Sequence, residues 1–335
     1  MSVYIPEGYR SALTARQTQI AIKKIKDFFQ TDLANQLNLR RVSAPLFVDR
    51  ASGLNDNLGG WERPVGFDMK CVPGNEYEIV QSLAKWKRMA LGRYGFAVGE
   101  GLYTDMNAIR RDEDTDNVHS VFVDQWDWEK VIRREDRTRD YLHKTVNYIY
   151  DALRQTENYI ADDYNFIGHL LPESISFVTS QELEDAYPGC SPKERELAAA
   201  KKYGAVFIEQ IGGKLRGGAP HDGRAPDYDD WDLNGDLIVY YPLLEMPLEL
   251  SSMGIRVDRE SLIRQLECAG CPERAELPFH KALIEGRLPY TVGGGIGQSR
   301  MCMFFLRKAH IGEVQASCWP EQTVAECSEH GVFLL

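Results

Sequence analysis

The sequence predicts an α+β domain whose central, mostly antiparallel β-sheet is flanked by helices. Apolar residues recur at helical spacing in two long stretches, 14–37 and 133–163, while most of the remaining apolar runs have the length and composition of strands. The extended stretches GLYTDMNAIRR and SVFVDQWDWEKVI are joined only by the charged link DEDTDNVH, which favours antiparallel pairing over a helical crossover. No repeat, low-complexity tract or Pro/Ser-rich linker interrupts the 335 residues, so 1–335 read as a single domain.

Taken in order, residues 14–37 open on a capping box, Thr14 with Gln17 three positions on, and carry Ile22, Ile25, Phe29, Leu33 and Leu37 as one stripe. LRRVSAPLFV is a short extended piece whose Pro45 suits an edge or an interface. YEIVQS (77–82) reads as a strand and LAKWKRMALGRYG as a helix ended by glycine. Beyond the antiparallel pair, 133–163 repeats Leu142, Val146, Ile149, Leu153 and Ile160. Strands follow at SISFVTS, AVFIEQI, DLIVYYPLL and LELSSMGIRV, with a helix at 259–268. TVGGGIGQSRMCMFFLRK reads as a glycine turn feeding an apolar helix, and 212–236 as a mobile loop over the open side of the sheet.

Composition narrows the function. A net charge of -11 without a compact Lys/Arg cluster opposes stable binding of nucleic acid. The share of hydrophobic residues, 43% against 27% charged, excludes disorder, and no apolar run is long enough to cross a bilayer. The N-terminal residues lack the pattern of a secretory signal, which points to the cytoplasm. Seven cysteines with one isolated CAGC pair suggest reduced thiols rather than a zinc site.

Four stretches carry polar groups that need an explanation. In VFVDQWDWE (121–129), strand alternation sets Gln125, Asp127 and Glu129 on one face, as a wet edge or as the floor of a pocket. GGGIGQSR (293–300) fails both the dinucleotide fingerprint, because Gln298 stands where the last Gly belongs, and the phosphate loop, because Gly-Lys-Ser/Thr is missing. What remains is a platform without side chains followed by Arg300, a cation placed against the helix dipole, as an anionic ligand would require. Asp236 and Glu249 are hard oxygen donors of the kind that hold magnesium on phosphates. Arg110 and Arg111 beside DED point to opposite sides of a strand, so at most one shares a pocket with Gln125 and Asp127.

In this order, an Arg before DED, QxDxE, ELSSMGIR and a Gly-rich turn with Arg resemble the catalytic core of class II aminoacyl-tRNA synthetases, closest to the aspartate-specific ones. LRRVSAPLF resembles their first motif, which builds the dimer interface around Pro45. IRRDED through DQWDWE resembles the second, and GGGIGQSR the third. QSLAKWKR, LNDNLGG, GEGLYTDMNAIR, HSVFVDQWDWE, RAPDYDDW, LNGD and ELSSMGIRVD further resemble the ammonia-dependent asparagine synthetase family over nearly the full chain.

The resemblance implies a homodimeric ligase that turns aspartate, ATP and ammonia into asparagine, AMP and pyrophosphate through a β-aspartyl-adenylate. It implies Arg110 at the α-phosphate, Asp236 and Glu249 on Mg2+, Gly295 and Arg300 toward ATP, and Asp56 at the ammonia. His119 either borders the nucleotide or faces solvent. Lys87 and Arg256 stand where the aspartate-specific synthetases grip the carboxylate that is not activated, and here they are expected to hold the α-carboxylate. Asp127 and Gln125 would meet the α-amino group, with Ser82 and Ser252 adding hydrogen bonds. An N-terminal addition, a terse 230–234 link and the tail AECSEHGVFLL depart from the pattern and are expected not to touch the matched motifs. A tRNA synthetase would need an anticodon-binding domain, for which the helix at 14–37 leaves no room upstream. A silent paralogue with a binding or regulatory role is the other alternative.

Overall fold

A computed structural model describes residues 3–335. The capping box forms as its spacing predicts: the Thr14 hydroxyl accepts the Gln17 N–H at 3.3 Å and Gln17 Oε1 accepts the Thr14 N–H at 3.0 Å. The helix it opens, α1 (Ala15–Leu37), ends where Asn38 takes a positive φ of 56°. The chain continues through β1 (Leu39–Arg41), β2 (Phe47–Asp49), β3 (Gly66–Met69), β4 (Val72–Ile79), α2 (Ala84–Tyr94), β5 (Gly101–Ile109), β6 (Phe122–Val131) and α3 (Arg139–Asp163). Then come β7 (Ser176–Thr179), α4 (Ser180–Ala186), α5 (Pro192–Tyr203), β8 (Ala205–Glu209), β9 (Asp229–Tyr241) and β10 (Met246–Arg256). The last elements are α6 (Arg259–Cys268), α7 (Pro278–Ile284), β11 (Thr291–Gly297), α8 (Gln298–Phe305) and α9 (Glu321–Glu329).

Eight strands form one sheet in the order β1-β5-β6-β11-β10-β9-β8-β7. Only the outermost pairs, β1 with β5 and β7 with β8, are parallel; the five pairings between them are antiparallel. One face is dry. Trp126 and Trp128 of β6, Met253 and Ile255 of β10 and Val292 and Ile296 of β11 join the stripe of α1, the inner face of α3 and Met301–Phe305 of α8 in a single core. Because side chains alternate along each strand, the intervening residues of the same strands all emerge on the other face.

Three departures from the sequence reading follow from local chemistry. The glycine run is not a turn: Thr291–Gly297 is a central strand paired on both edges, its backbone fully engaged although it lacks side chains. The loop drawn over 212–236 ends earlier, since 229–236 already belong to β9, whose acids and asparagine disguise it as a loop. A second sheet, β2-β4-β3, and the helices α4, α5, α7 and α9 were not anticipated.

Candidate active site

Strand register places the predicted polar groups. A row of Cα partners runs across five strands, Asp236 on β9, Ser252 on β10, Gly295 on β11, Asp127 on β6 and Thr104 on β5. Its middle members, Ser252, Gly295 and Asp127, form the floor of a cavity of about 370 Å3 on the polar face of the sheet. Gln125, Asp127 and Ser252 line it from below, Ser82 and Lys87 from the start of α2, and Asp56 from the segment between β2 and β3 of the small sheet. The pocket-floor alternative for VFVDQWDWE is therefore the one realised.

One end of the floor is a web of buried charge. Arg256 donates to Glu129 through Nε at 3.0 Å and through Nη2 at 2.7 Å, and its Nη1 pairs with Asp229. Three of its five N–H donors are thus used, which leaves one on each terminal nitrogen. Burial opposes ionisation of Glu129, yet Arg256, joined by Lys87, holds its carboxyl below the ordinary value. Lys87 Nζ donates to the Gly294 carbonyl at 2.9 Å and lies 3.3 Å from Asp127 Oδ1. Burial pushes its pKa down, opposed by Asp127. Asp127 is held in turn by the Leu83 N–H at 3.3 Å.

The glycines of β11 make room for this web. A Cβ at Gly293 would overlap the Glu129 carboxylate, and one at Gly295 would lie 2.5 Å from Gln125 Oε1 and 2.9 Å from Asp127 Oδ1. Gly295→Ala is therefore expected to yield a folded protein in which KM for the acidic substrate rises about tenfold or more, because the methyl group occupies the floor itself. Steady-state kinetics alongside a melting curve check this. An unchanged KM would place the substrate elsewhere.

The other end suits an anion and its counter-ion. Arg110 lines the cavity and its Nε is buried with no hydrogen-bond partner, whereas Arg111 is exposed. That separates the two arginines which strand alternation left open. Arg300 also lines the cavity, donating to the Val118 carbonyl at 3.3 Å and the Glu249 carbonyl at 3.2 Å. His119 borders it with its Nδ1 held by Asp116 at 2.9 Å. Asp236 pairs with Arg224. Burial lifts the Asp236 carboxyl to about 7, Arg224 opposing and Glu249 adding to the effect. Two carboxylates crowded in this way would be relieved by a divalent cation, and two are enough for magnesium, which draws the rest of its shell from water and phosphate. The donor set therefore fits the ion.

Every predicted site residue borders this one cavity except Asp236, which adjoins it through Arg224. One expectation is overturned: the N-terminal segment does touch a matched motif, through hydrogen bonds between Tyr4 and Asn117. The sequence reading missed Glu129 as a partner of Arg256, together with Asp229, Tyr228 and Arg224. It also missed a fully buried network behind Asp56, in which Asp227 Oδ2 lies 3.2 Å from Lys85 Nζ and 3.0 Å from His280 Nε2. A signal existed in RAPDYDDW, where three acids and a tyrosine crowd a stretch that an ordinary surface loop would not need.

A sequence profile of the aspartate-ammonia ligase family matches residues 16–331. The chain belongs to the aspartate-ammonia ligase family. An aspartate-ammonia ligase of Clostridium perfringens strain 13 is 62% identical over 333 residues, covering 99% of each chain. Those of Ruminiclostridium cellulolyticum and Lactobacillus acidophilus are 61% and 58% identical over 334 and 336 residues, covering at least 99% of each chain. Among solved structures, the asparaginyl-tRNA synthetase of Pyrococcus horikoshii in complex with asparaginyl-adenylate superposes with a TM-score of 0.65 at 13% identity, over 90% of this chain and 70% of that one. The aspartyl-tRNA synthetase of Entamoeba histolytica gives 0.59 at 15% identity, over 92% and 63%. The chain therefore has the catalytic fold of the class II synthetases, as the motif order predicts.

Proposed function

We propose that the protein makes L-asparagine from L-aspartate, ammonia and ATP by way of a β-aspartyl-adenylate, releasing AMP and pyrophosphate. The observation that carries this reading is the single cavity itself. It joins an amino-acid socket (Lys87, Arg256, Asp127 and Gln125) to an anion-facing end (Arg110 and Arg300) along one row of the sheet.

The chemistry needs both ends. A carboxylate resists amines because its oxygen leaves poorly, and transfer of AMP to the β-carboxylate converts that oxygen into a good leaving group. The two free donors of Arg256 and the third of Lys87 would grip the α-carboxylate, Asp127 and Gln125 the α-ammonium, and Ser82 and Ser252 would complete the set. Held so, aspartate presents its β-carboxylate toward Arg110, whose partnerless guanidinium edge would meet the α-phosphate as negative charge grows there. Gly295 admits the substrate to the floor, His119 and Arg300 border the nucleotide, and Asp236 with Glu249 would hold Mg2+, which neutralises phosphate charge when bound.

Asp56 would accept a proton from ammonium, freeing the neutral ammonia that attacks the acyl carbon and displaces AMP. Burial raises its carboxyl above the ordinary value, with Lys85 opposing and Asp227 adding, and a raised pKa makes a better base. The sign for stability follows. On raising the pH, the unfolded carboxylate ionises first while the folded one still holds its proton, so the parent loses stability above the ordinary carboxylate pKa. Asp56→Asn is expected to melt at a higher temperature than the parent at pH 7, with the gap closing toward pH 4. It should also keep pyrophosphate release while losing asparagine formation. Equal loss of both steps would make Asp56 a general substrate contact.

Dimerisation is proposed through the segment around Pro45. There Leu46 and Phe47 are exposed, and Phe47 packs against Phe67 with ring centroids 5.1 Å apart. The deciding experiment for the reaction is incubation with Mg-ATP, aspartate and either ammonium or glutamine. Asparagine and AMP with ammonium alone are expected, and ADP in place of AMP would refute the adenylate route.

A further inference from the structure

The loop that carries Arg110 and His119 is not held by its own hairpin alone. At its centre Asn117 is buried, and it bonds to two distant parts of the chain. Its Nδ2 donates to the Tyr4 carbonyl at 2.7 Å and to the Ala309 carbonyl at 2.8 Å, while its Oδ1 accepts the Tyr4 N–H at 2.9 Å. Its own carbonyl accepts the Ile311 N–H at 2.8 Å. All the polar groups of one asparagine, bar its backbone N–H, are thus spent on joining three segments. Three residues on, the Ser120 hydroxyl donates to Ser317 Oγ at 2.9 Å.

The two distant segments are themselves tied together. The Val3 N–H donates to Glu326 of α9 at 2.9 Å, the Tyr9 hydroxyl to buried Glu313 at 2.9 Å, and the Leu335 N–H to the Gly312 carbonyl at 2.8 Å. Residues 3–10 therefore form a strap that shares its anchor points with the C-terminal segment. Asn117 is immediately followed by Val118, whose carbonyl receives Arg300, and by His119. Displacing Asn117 would move three groups that face the nucleotide end of the cavity.

We infer that Asn117 is a positioning residue for the nucleotide: through it, the N-terminal strap and the 309–311 backbone set the loop that presents Arg110 and His119 to ATP. This rests on the proposed reaction only for the identity of the nucleotide. A merely structural asparagine would affect both substrates alike, whereas a positioning residue for this loop acts on ATP alone, because the aspartate socket lies on the sheet.

The test uses the full-length protein with two variants and a control. Asn117→Asp preserves shape but cannot donate to either carbonyl. Tyr4→Pro removes the N–H that Asn117 Oδ1 receives. Tyr150→Phe, which loses a buried bond to the Pro172 carbonyl in a remote part of α3, matches the stability cost elsewhere. At a temperature where all are folded, Asn117→Asp should weaken ATP binding and raise KM for ATP about tenfold, as losing two buried hydrogen bonds implies. KM for aspartate should stay within about twofold. Tyr4→Pro should act in the same direction by about threefold, the share of one bond, and Tyr150→Phe should leave KM for ATP unchanged. Parallel rises for ATP and aspartate, or ATP binding indistinguishable from the parent in Asn117→Asp, would overturn the inference. Calorimetric ATP binding keeps the two questions apart: a parent protein that binds ATP but makes no asparagine refutes the reaction, while the ATP affinities of the variants still decide the role of Asn117.

Discussion

Arg110→Ala should lower pyrophosphate release by about 10²–10³-fold and leave the protein folded. Arg110 sits on the first turn after β5 with its Nε shielded from water and without a hydrogen-bond partner, so removing it breaks no hydrogen bond of that nitrogen, although it withdraws a charge that favours ionised Asp56. On the proposed reaction, its main role would be to meet the charge that grows on the α-phosphate as AMP is transferred. Arg300→Ala should cost a similar factor but also some stability, on the order of 1 kcal/mol, because it frees the carbonyls of Val118 and Glu249. Pyrophosphate release under saturating aspartate, read beside a urea midpoint, separates the two contributions. Normal turnover in Arg110→Ala would remove the nucleotide assignment.

Arg256→Ala is expected to fail for a different reason. Without the guanidinium, Glu129 and Asp229 remain as unpaired carboxylates in a dry part of the sheet, which is 3% exposed or less. Breaking a buried ion pair in this way costs about 3–5 kcal/mol, a large part of the stability of any domain. The variant should therefore be poorly soluble or melt far below the parent before any loss of aspartate affinity can be measured. Adding Glu129→Gln should recover part of the lost melting temperature and none of the aspartate binding. Recovery of both would confine Arg256 to a structural role, while a parent-like melt in Arg256→Ala alone would mean that the buried web contributes little.

The contrast between these arginines shows what the sequence reveals and what it hides. Side-chain periodicity and capping chemistry are local, and so α1, the β5–β6 pair and α3 were all legible. So was the polar face of β6, since alternation alone separates Gln125 and Asp127 from Trp126 and Trp128. Glycine-rich β11 read as a turn because the usual sign of a strand, its side chains, has been removed to admit Glu129, Arg256 and the substrate. The start of β9 read as a loop for the complementary reason, that it is crowded with acids: Asp229 lines the site, while Asp230 and Asp232 pair with Arg137 and Arg264. The helices α4 and α5 did carry signals, capping boxes at Thr179–Glu182 and Ser191–Glu194, the latter with Pro192 in the first turn, but each lies in a short, weakly patterned stretch. No pattern in the chain could reveal that Tyr4 meets Asn117, because the two are 113 residues apart and Tyr4 offers the Asn117 amide only backbone groups that nearly every residue has.

The row from Asp236 to Asp127 also acts as a ruler. It crosses three inter-strand steps, each of about 4.8 Å, so the Cα atoms of Asp236, proposed to hold the metal, and of Asp127, proposed to meet the amino group, are fixed roughly 14 Å apart by main-chain hydrogen bonds. Side-chain rotation moves each carboxylate only within the reach of a short side chain about those fixed points, and slipping the register would turn one of its marks to the dry face. An acid with one more methylene than aspartate, gripped by the same socket, would overshoot the phosphorus by about 1 Å, a misalignment that can cost about a hundredfold. Discrimination against glutamate would then need no steric gate, because the pitch of the sheet already sets the admissible length.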